Sequence, residues 1–456
     1  MKNLTVKIFV GLFVVATVLL QSCKKDSETY SFLLNERGAF VEEPGGTTSL
    51  GFTAINISSV TPTTVPQGWS VTVDMNERRI SVTAPTTFPD DPKTLADGEE
   101  EEEENTNVRF GTVYLTGRSS GGSSVSTSLY VSLAETVDLT GQPSNCYIIN
   151  KSNARYCIDV TRKGEYTEAT MSPASVAILW ETPYKVIEFP KLVDGKAYFY
   201  HAIGTDDDEK EFFNHGNALL GAFDAAGNLL WSWHLWCAEF DPADEQVELG
   251  GEVMMKRNLG AGVVSGTSEE DILASYGVYY QWGRKDPFPG TTAFTIMNED
   301  YTYEVDGEPE VYGIDNRVLP KFGLTAEFHG TIEKSIQNPA VFYAMTYKHT
   351  GVEDEYGEEI VENDYKTGDW VDVSNDDYWG GESRKKTIYD PCPVGYKVPV
   401  CDADGNTPYA WLVYTVGKWD EANRGFEQEG QWFPTTGTRA YASGGLDYTE
   451  ANPYSG

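Results

Sequence analysis

The chain is short of cysteine, histidine and positive charge. Its 456 residues hold six cysteines and five histidines. No CxxC or alternating Cys/His spacing appears, so a zinc site is excluded from the sequence pattern. His201, His215, His234, His329 and His349 stand singly, and His234 has no second histidine or carboxylate at ligand spacing. HExxH, GxSxG and a glycine loop that cradles phosphate are all missing. These gaps leave no catalytic motif, no metal and no cofactor to name. Lysine and arginine number 34 against 70 acidic residues, a formal charge of −36. A polyanion of this size repels phosphate backbones, which excludes nucleic acid as a partner.

What is present is apolar and aromatic. A hydrophobic content of 40% with 13% aromatics is too rich for a disordered chain. At about 150 residues per domain, the length suggests three domains. Residues 1–22 read as a leader: Lys2 and Lys7 form a basic start, and Ile8–Leu20 is a 13-residue stretch without charge. That is shorter than the roughly 20 residues of a membrane span and suits a signal-peptide core.

Five cysteines follow Cys23: Cys146, Cys157, Cys237, Cys392 and Cys401. Cys146 and Cys157 lie on two strand-like segments that can face each other across a hairpin, which makes them the expected disulfide. The odd remainder implies a free thiol or a partner missing from the count.

Residues 30–138 read as a small β-sandwich. Short alternating runs, Thr47–Phe52, Ser70–Val73, Ile80–Thr83, Arg109–Thr116 and Ser126–Val131, are separated by Gly-, Pro- and Ser-rich turns. Trp69 is assigned to the core rather than to a sugar platform. Glu99–Glu104, six like charges in a row, read as a solvated loop. Residues 139–250 form a second β-rich block. Asn217–Phe223, the turn Asp224–Asn228 and Leu229–Trp236 make the clearest hairpin, with Gly227 supplying the positive φ. Trp231, Trp233 and Leu235 share one face of the returning strand, and Ser232, His234 and Trp236 the other, so the strand is expected to be buried on both sides or to lie at a domain junction. Its rings serve either the core or a sugar-stacking surface.

Residues 251–456 bring short helices: Thr267-x-x-Glu270 reads as a capping box and Ser335–Met345 as mixed apolar helix. Ten of the eleven tryptophans lie from Trp180 onward. Asp402–Asn406 reads as a turn, its glycine arriving too early for a calcium loop. Carbohydrate recognition needs flat rings for the sugar's C–H face and carboxylates or amides for its hydroxyls. Asp369, Trp370, Asn375, Asp376, Asp377, Tyr378 and Trp379 offer both within a dozen residues and form the expected binding loop. Carboxylates are abundant enough to leave a glycoside-hydrolase pair open as an alternative.

Several strings resemble known families. Leu20-Gln21-Ser22-Cys23 resembles the bacterial lipobox, which implies a lipid on Cys23 and an outer-membrane anchor. Lys24–Glu28, within a tether spanning 23–29, resembles the acidic segment that sends lipoproteins of Bacteroidetes-like bacteria to the outer face. Gly68–Val73, Arg79–Val82 and Arg109–Val113 resemble the BACON-type immunoglobulin-like domain.

Met255–Ala261, Tyr276–Phe288, Asp390–Pro399 and Phe433–Arg439 together resemble the FISUMP-type domain that ends many Bacteroidetes fimbrillin-family and surface lipoproteins. That resemblance implies a C-type-lectin-like α+β fold over 251–456. It also implies a chain that stops before the family's last strand and late cysteine, the expected partner of Cys392. Glu308-Pro309-Glu310 does not match a lectin calcium string, and Cys392 and Cys401 are not placed like the reactive pair of sulfatase-activating relatives.

The expectation is a mainly β, multidomain surface lipoprotein: two immunoglobulin-like sandwiches followed by a C-type-lectin-like domain. Its function is adhesion or glycan binding, towards a glycan or a host or bacterial surface ligand. It serves as a fimbrial accessory or tip subunit, or as the glycan-binding component of a polysaccharide-uptake system. In the fimbrial case Arg37, the only arginine ahead of the alternating runs, is the expected processing site.

Overall fold

A computed structural model of the chain describes residues 29–89, 106–205, 210–249, 252–291, 310–313, 330–343, 375–381 and 385–399. Shorter described pieces are 295–296, 303–304, 326–327, 347–353, 356, 359–363, 370–371, 418–420, 425–428, 430–434, 436–439, 444 and 446–447. The leader, Cys23, the tether to Glu28, Glu99–Glu104, His329, Asp369, Cys401 and Asp402–Asn406 lie outside them. The molecule is mainly β and divides into two compact units, 1–137 with 153–156, and 138–152 with 157–456.

The first unit is a sandwich of eight strands: β1 (Ser31–Leu34), β2 (Gly38–Val41), β3 (Thr47–Ile55), β4 (Ser59–Thr64), β5 (Ser70–Asp74), β6 (Arg79–Thr83), β7 (Phe110–Arg118) and β8 (Ser124–Leu133). They form two four-stranded sheets, β1-β3-β6-β5 and β2-β8-β7-β4. Alternation sends Leu50, Phe52, Ile80 and Val82 from the first sheet and Val113, Leu115, Leu129 and Val131 from the second into one apolar core. Trp69 joins that core, and its indole N–H donates to Val108 O at 2.8 Å. The runs β1 and β2 are too short to show a period and were not expected. They place Arg37 between two strands of different sheets rather than ahead of the first.

After β8 the strands are β9 (Thr136–Asp138), β10 (Cys146–Ile149), β11 (Ala154–Asp159), β12 (Arg162–Lys163), β13 (Tyr166–Thr170), β14 (Ser175–Thr182), β15 (Ile187–Val193), β16 (Lys196–His201), β17 (Ile203–Thr205), β18 (Glu211–Phe213), β19 (Gly216–Phe223) and β20 (Leu229–Cys237). Two four-stranded sheets result, ordered β10-β20-β19-β14 and β15-β16-β11-β9. The expected hairpin is β19–β20. Asp224 Oδ1 accepts the backbone N–H groups of Ala226 and Asn228 at 2.9 and 2.8 Å, and Gly227 takes φ 82°. As an inner strand, β20 is buried without a break from Trp231 to Cys237.

Two expectations are corrected here. Cys146 and Cys157 form no disulfide. Cys146 is on β10, which pairs parallel with β20, while Cys157 is on β11 of the other sheet, where its thiol donates to Asp138. A division near residue 250 does not appear either. The strands up to β20 and the segments after 250 share one unit, because the polar face of β20 is completed by residues 261, 285 and 286.

The helices are shifted from their expected positions. α1 (Glu269–Ala274) is capped by Ser268, whose Oγ accepts Asp271 N–H at 3.1 Å, one residue after the expected cap. α2 (Ile332–Gln337) starts three residues early behind Thr331, and Phe342–Tyr343 is a strand.

Candidate functional site

Among the described residues of the second unit, chemistry-bearing side chains include a sealed group and an open one. The sealed group lies along the Ser232, His234 and Trp236 face of β20. Lys285 Nζ donates to Ser232 Oγ at 2.6 Å, to Ser232 O at 3.0 Å and to Asp286 Oδ1 at 2.6 Å, and Ser232 Oγ donates to Asp286 Oδ1 at 2.7 Å. Burial pushes the Lys285 ammonium down to about 8 against the pull of Asp286. The Lys285 charge also lies 4.5 Å from the centre of the Trp231 ring. Arg284, beside it, is pushed down by burial to about 10 and is tied to Gln281 Oε1 at 3.0 Å and Val341 O at 2.7 Å.

Around His234 three side chains stand in the order nucleophile, base, orienter. Cys146 Sγ lies 3.4 Å from His234 Nδ1, and His234 Nε2 lies 2.8 Å from Asn217 Oδ1. Asn217 Nδ2 donates to Gly260 O at 3.0 Å, which turns its oxygen toward the ring. Nε2 therefore carries the proton, and Nδ1 accepts from the Cys146 thiol or from the Tyr280 hydroxyl at 3.4 Å.

This order matches the Cys-His-Asn arrangement of cysteine hydrolases, but the environment works against it. Cys146 and His234 are each 1% exposed. Burial drives the thiol well above its ordinary range and the imidazole down to about 3, so both stay neutral and no thiolate forms. The group is a hydrogen-bonded spacer between sheet and loop. Spacing could not reveal it, since the three residues come from β10, β19 and β20 and meet only through strand pairing.

The Asp390–Pro399 string folds around one carboxylate. Asp390 Oδ1 accepts Cys392 N–H and the Lys386 ammonium, each at 2.8 Å, and Oδ2 accepts Val398 N–H at 2.9 Å. Lys386 also donates to Cys392 O and Tyr396 O at 2.7 Å. Asn145 Nδ2 fastens the loop to the start of β10 through Ile388 O and Asp390 O, both at 2.8 Å. Motifs that read as a family signature are, in three dimensions, the polar ties of the fold.

The open group is aromatic. Trp370, expected in the binding loop, is only 6% exposed; it packs with Ile332, Tyr343 and Val371 and donates from Nε1 to Trp282 O at 2.8 Å. It belongs to the core because its ring packs there and its indole N–H still finds a carbonyl partner. Asn375 is exposed and caps the 3-10 turn Asp376–Trp379 by accepting Asp377 N–H at 2.9 Å. Asp377 is exposed and Tyr378 half-buried. Asp376 is described only as part of that turn.

Half-buried Trp379 donates from Nε1 to Arg284 O at 3.2 Å and meets Trp282 with ring centres 4.8 Å apart, tilted 55°. Trp282 is 38% exposed and was not singled out from the sequence. The signal was its place in Gln281-Trp282-Gly283, where Gly283 at φ 80° permits a close approach. A Cβ on Gly283 would stand 2.6 Å from the Tyr378 ring. The loop's surface is thus Trp282, Trp379, Asn375 and Asp377, a ring pair beside an amide and a carboxylate.

No family model matches the chain, and no curated protein matches it. Among solved structures, the Bacteroides ovatus mixed-linkage glucan utilization locus protein SGBP-B, in complex with a mixed-linkage heptasaccharide, is 11% identical over 44% of this chain and 43% of that chain, with a TM-score of 0.14. The human desmocollin-1 ectodomain is 12% identical over 46% of this chain and 41% of its own, with a TM-score of 0.16. SporoSAG from Toxoplasma gondii is 8% identical over 43% of this chain and 93% of its own, at 0.14. The chain spans less than half the length of the first two. TM-scores this low carry no argument about function.

Proposed function

We propose that the protein is a lipid-anchored surface protein of an outer membrane that acts in glycan binding or adhesion, with Trp282 and Trp379 as the contact surface. The observation that carries this reading is the ring pair of exposed Trp282 and half-buried Trp379, 4.8 Å apart, with exposed Asn375 and Asp377 on the same short turn as Trp379. Flat apolar rings beside an amide and a carboxylate suit the two sides of a sugar. The lipobox-like Leu20–Cys23 supports the anchor, and the FISUMP-like and BACON-like strings support a place among surface lipoproteins. Capture of the full chain on polysaccharide-loaded beads tests the reading. Trp282→Ala should cut retention at least fivefold with an unchanged melting temperature, and undiminished retention would sink the reading.

One observation favours a second, fimbrial reading. Arg37 is exposed in the bend between β1 and β2, and Phe32 of β1 is 2% exposed within the core. A cut after Arg37 would free β1 and leave an apolar groove along β3 for a neighbour's strand. The intact mass of protein extracted from native outer membranes separates the two. A lipidated start at Cys23 supports the stationary glycan-binding lipoprotein, and a lipid-free start at Gly38 supports the polymer.

A further inference from the structure

We propose that Tyr184, Tyr312 and Glu310 form a second sugar-contact site, one that takes neutral hexopyranose units of a polysaccharide. The inference rests on the glycan-binding reading above and uses different residues.

The site is built on the end of β14. Glu181, the next-to-last residue of that strand, makes a two-way backbone bridge with Tyr312, N–H to O at 2.9 and 3.0 Å. The buried Glu181 carboxylate also accepts the N–H groups of Lys185 and Ile187, each at 3.0 Å, and so holds the turn that carries Tyr184. One residue therefore fixes both ring-bearing segments, the Tyr312 segment through its backbone and the Tyr184 turn through its side chain. The two rings meet with centres 4.8 Å apart and a 44° tilt, and Tyr184 is 43% exposed. Core packing does not account for them. The neighbouring core of Trp180, Leu219, Phe288, Val311 and Phe342 takes Val311, while the tyrosine on the next position stays outside it.

The surroundings supply both kinds of polar partner. Tyr312 OH donates to Glu310 Oε2 at 2.6 Å, which leaves the other carboxylate oxygen of an exposed residue as an acceptor. The Lys185 ammonium stands 5.4 Å from the Tyr184 ring centre and 3.6 Å from Glu188 Oε1, a half-exposed group with N–H bonds left to donate. Ring faces between an acceptor and a donor match a pyranose, with its C–H face and its hydroxyl rim. The formal charge of −36 selects among sugars: uronic, sulfated or sialylated chains would approach a strongly like-charged surface. A neutral glycan pays no such penalty.

Affinity electrophoresis of the full chain tests this, in gels carrying mixed-linkage β-glucan, xyloglucan, galactomannan, α-glucan or polygalacturonate. Wild type should be retarded by at least one neutral polysaccharide and not by polygalacturonate. Tyr184→Ala combined with Tyr312→Ala should weaken that retardation about tenfold, while Tyr184→Phe with Tyr312→Phe should keep most of it. If the double alanine variant does not fold, Tyr184→Ala alone replaces it, read against Tyr184→Phe.

Loss in the tyrosine variant with Trp282→Ala unaffected upholds this site and overturns the Trp282–Trp379 reading. Loss in Trp282→Ala with the tyrosine variant unaffected overturns this site alone. Retardation that neither change alters, or by none of the polysaccharides, overturns both. Retardation by polygalacturonate alone overturns the neutral class.

Discussion

The two units are held together by opposite means. In the first, polarity is sorted by strand alternation. Ile80 and Val82 of β6 are fully buried while Ser81 and Thr83 form hydroxyl ladders on the other face with Ser49 at 2.9 Å and Thr47 at 2.8 Å. In the second, charged and polar groups sit inside: Arg284, Lys285, Asp286, His234 and Asp390 are all buried, each tied by hydrogen bonds. An apolar core tolerates small losses, whereas a buried polar layer fails when one partner is removed, because the other is left charged in a low dielectric.

The sharpest test of that contrast is Asp286→Ala. It leaves the Lys285 ammonium buried with only Ser232 as a polar partner, and Asp286 itself is 1% exposed. The expected cost is about 3–5 kcal/mol. The readout is tryptophan fluorescence during urea unfolding, since ten of the eleven tryptophans lie from Trp180 onward. A cost below about 1 kcal/mol would mean that the layer is replaceable filler, and the contrast between the units would collapse.

The second test uses pH, where two buried groups of the second unit pull in opposite directions. Burial raises Glu181 from 4.5 to about 7. Between those values the folded state keeps a proton that the unfolded state has lost, so stability is highest below about pH 4.5 and falls as pH rises toward 7. Burial lowers His234 from 6.5 to about 3. There the unfolded state takes the proton first, so its contribution is complete above pH 6.5 and is lost as pH falls toward 3. From pH 4.5 to 6.5 the two slopes oppose. Glu181→Gln should remove the falling limb, so that its stability relative to wild type rises by about 3 kcal/mol between pH 4.5 and 7. A pH-independent difference between the two proteins would show that Glu181 does not titrate in this window.

The same contrast decides how much could be read in advance. The first unit was legible because its information is local. Alternation marked β3, β5, β6, β7 and β8, and Trp69 fell into the core as expected; β1 and β2, four residues each, were too short to show a period, and β4 was not marked. The β19–β20 hairpin was legible for the same reason, through Asp224 and Gly227.

The site was not legible. Trp370 and Trp379 looked alike in the sequence, yet the first is sealed and the second is half-open, and the difference depends on Trp282, 88 residues from Trp370. Cys146 and Cys157 looked paired because they are near in sequence, but they belong to different sheets. Strings such as Asp390–Pro399 read as a family signature, while their role as internal ties needed the partners Asn145 and Lys386 to be seen.

Smaller changes should have small effects in the first unit. Ile80→Val removes one methylene from a fully buried position, and the neighbouring Val82 and Leu50 can close on the space. The expected cost is about 0.5–1.5 kcal/mol by chemical denaturation. A cost near that of Asp286→Ala would mean that the sandwich core is as intolerant as the polar layer.

The mildest change tests the solvent face of the same sheet. Thr47 and Thr83 are directly paired across β3 and β6, and their hydroxyls lie 2.8 Å apart. Thr47→Ala breaks that contact but leaves Thr83 free to bond water, so no buried group is stranded. The cost should be about 0.2–1 kcal/mol, and Thr47→Ala with Thr83→Ala should cost little more than either alone. If the double change instead cost the full sum of the singles, each threonine would act through its own strand preference rather than through the pair. Register in this sheet would then rest on the inward alternation of Leu50, Ile80 and Val82 alone.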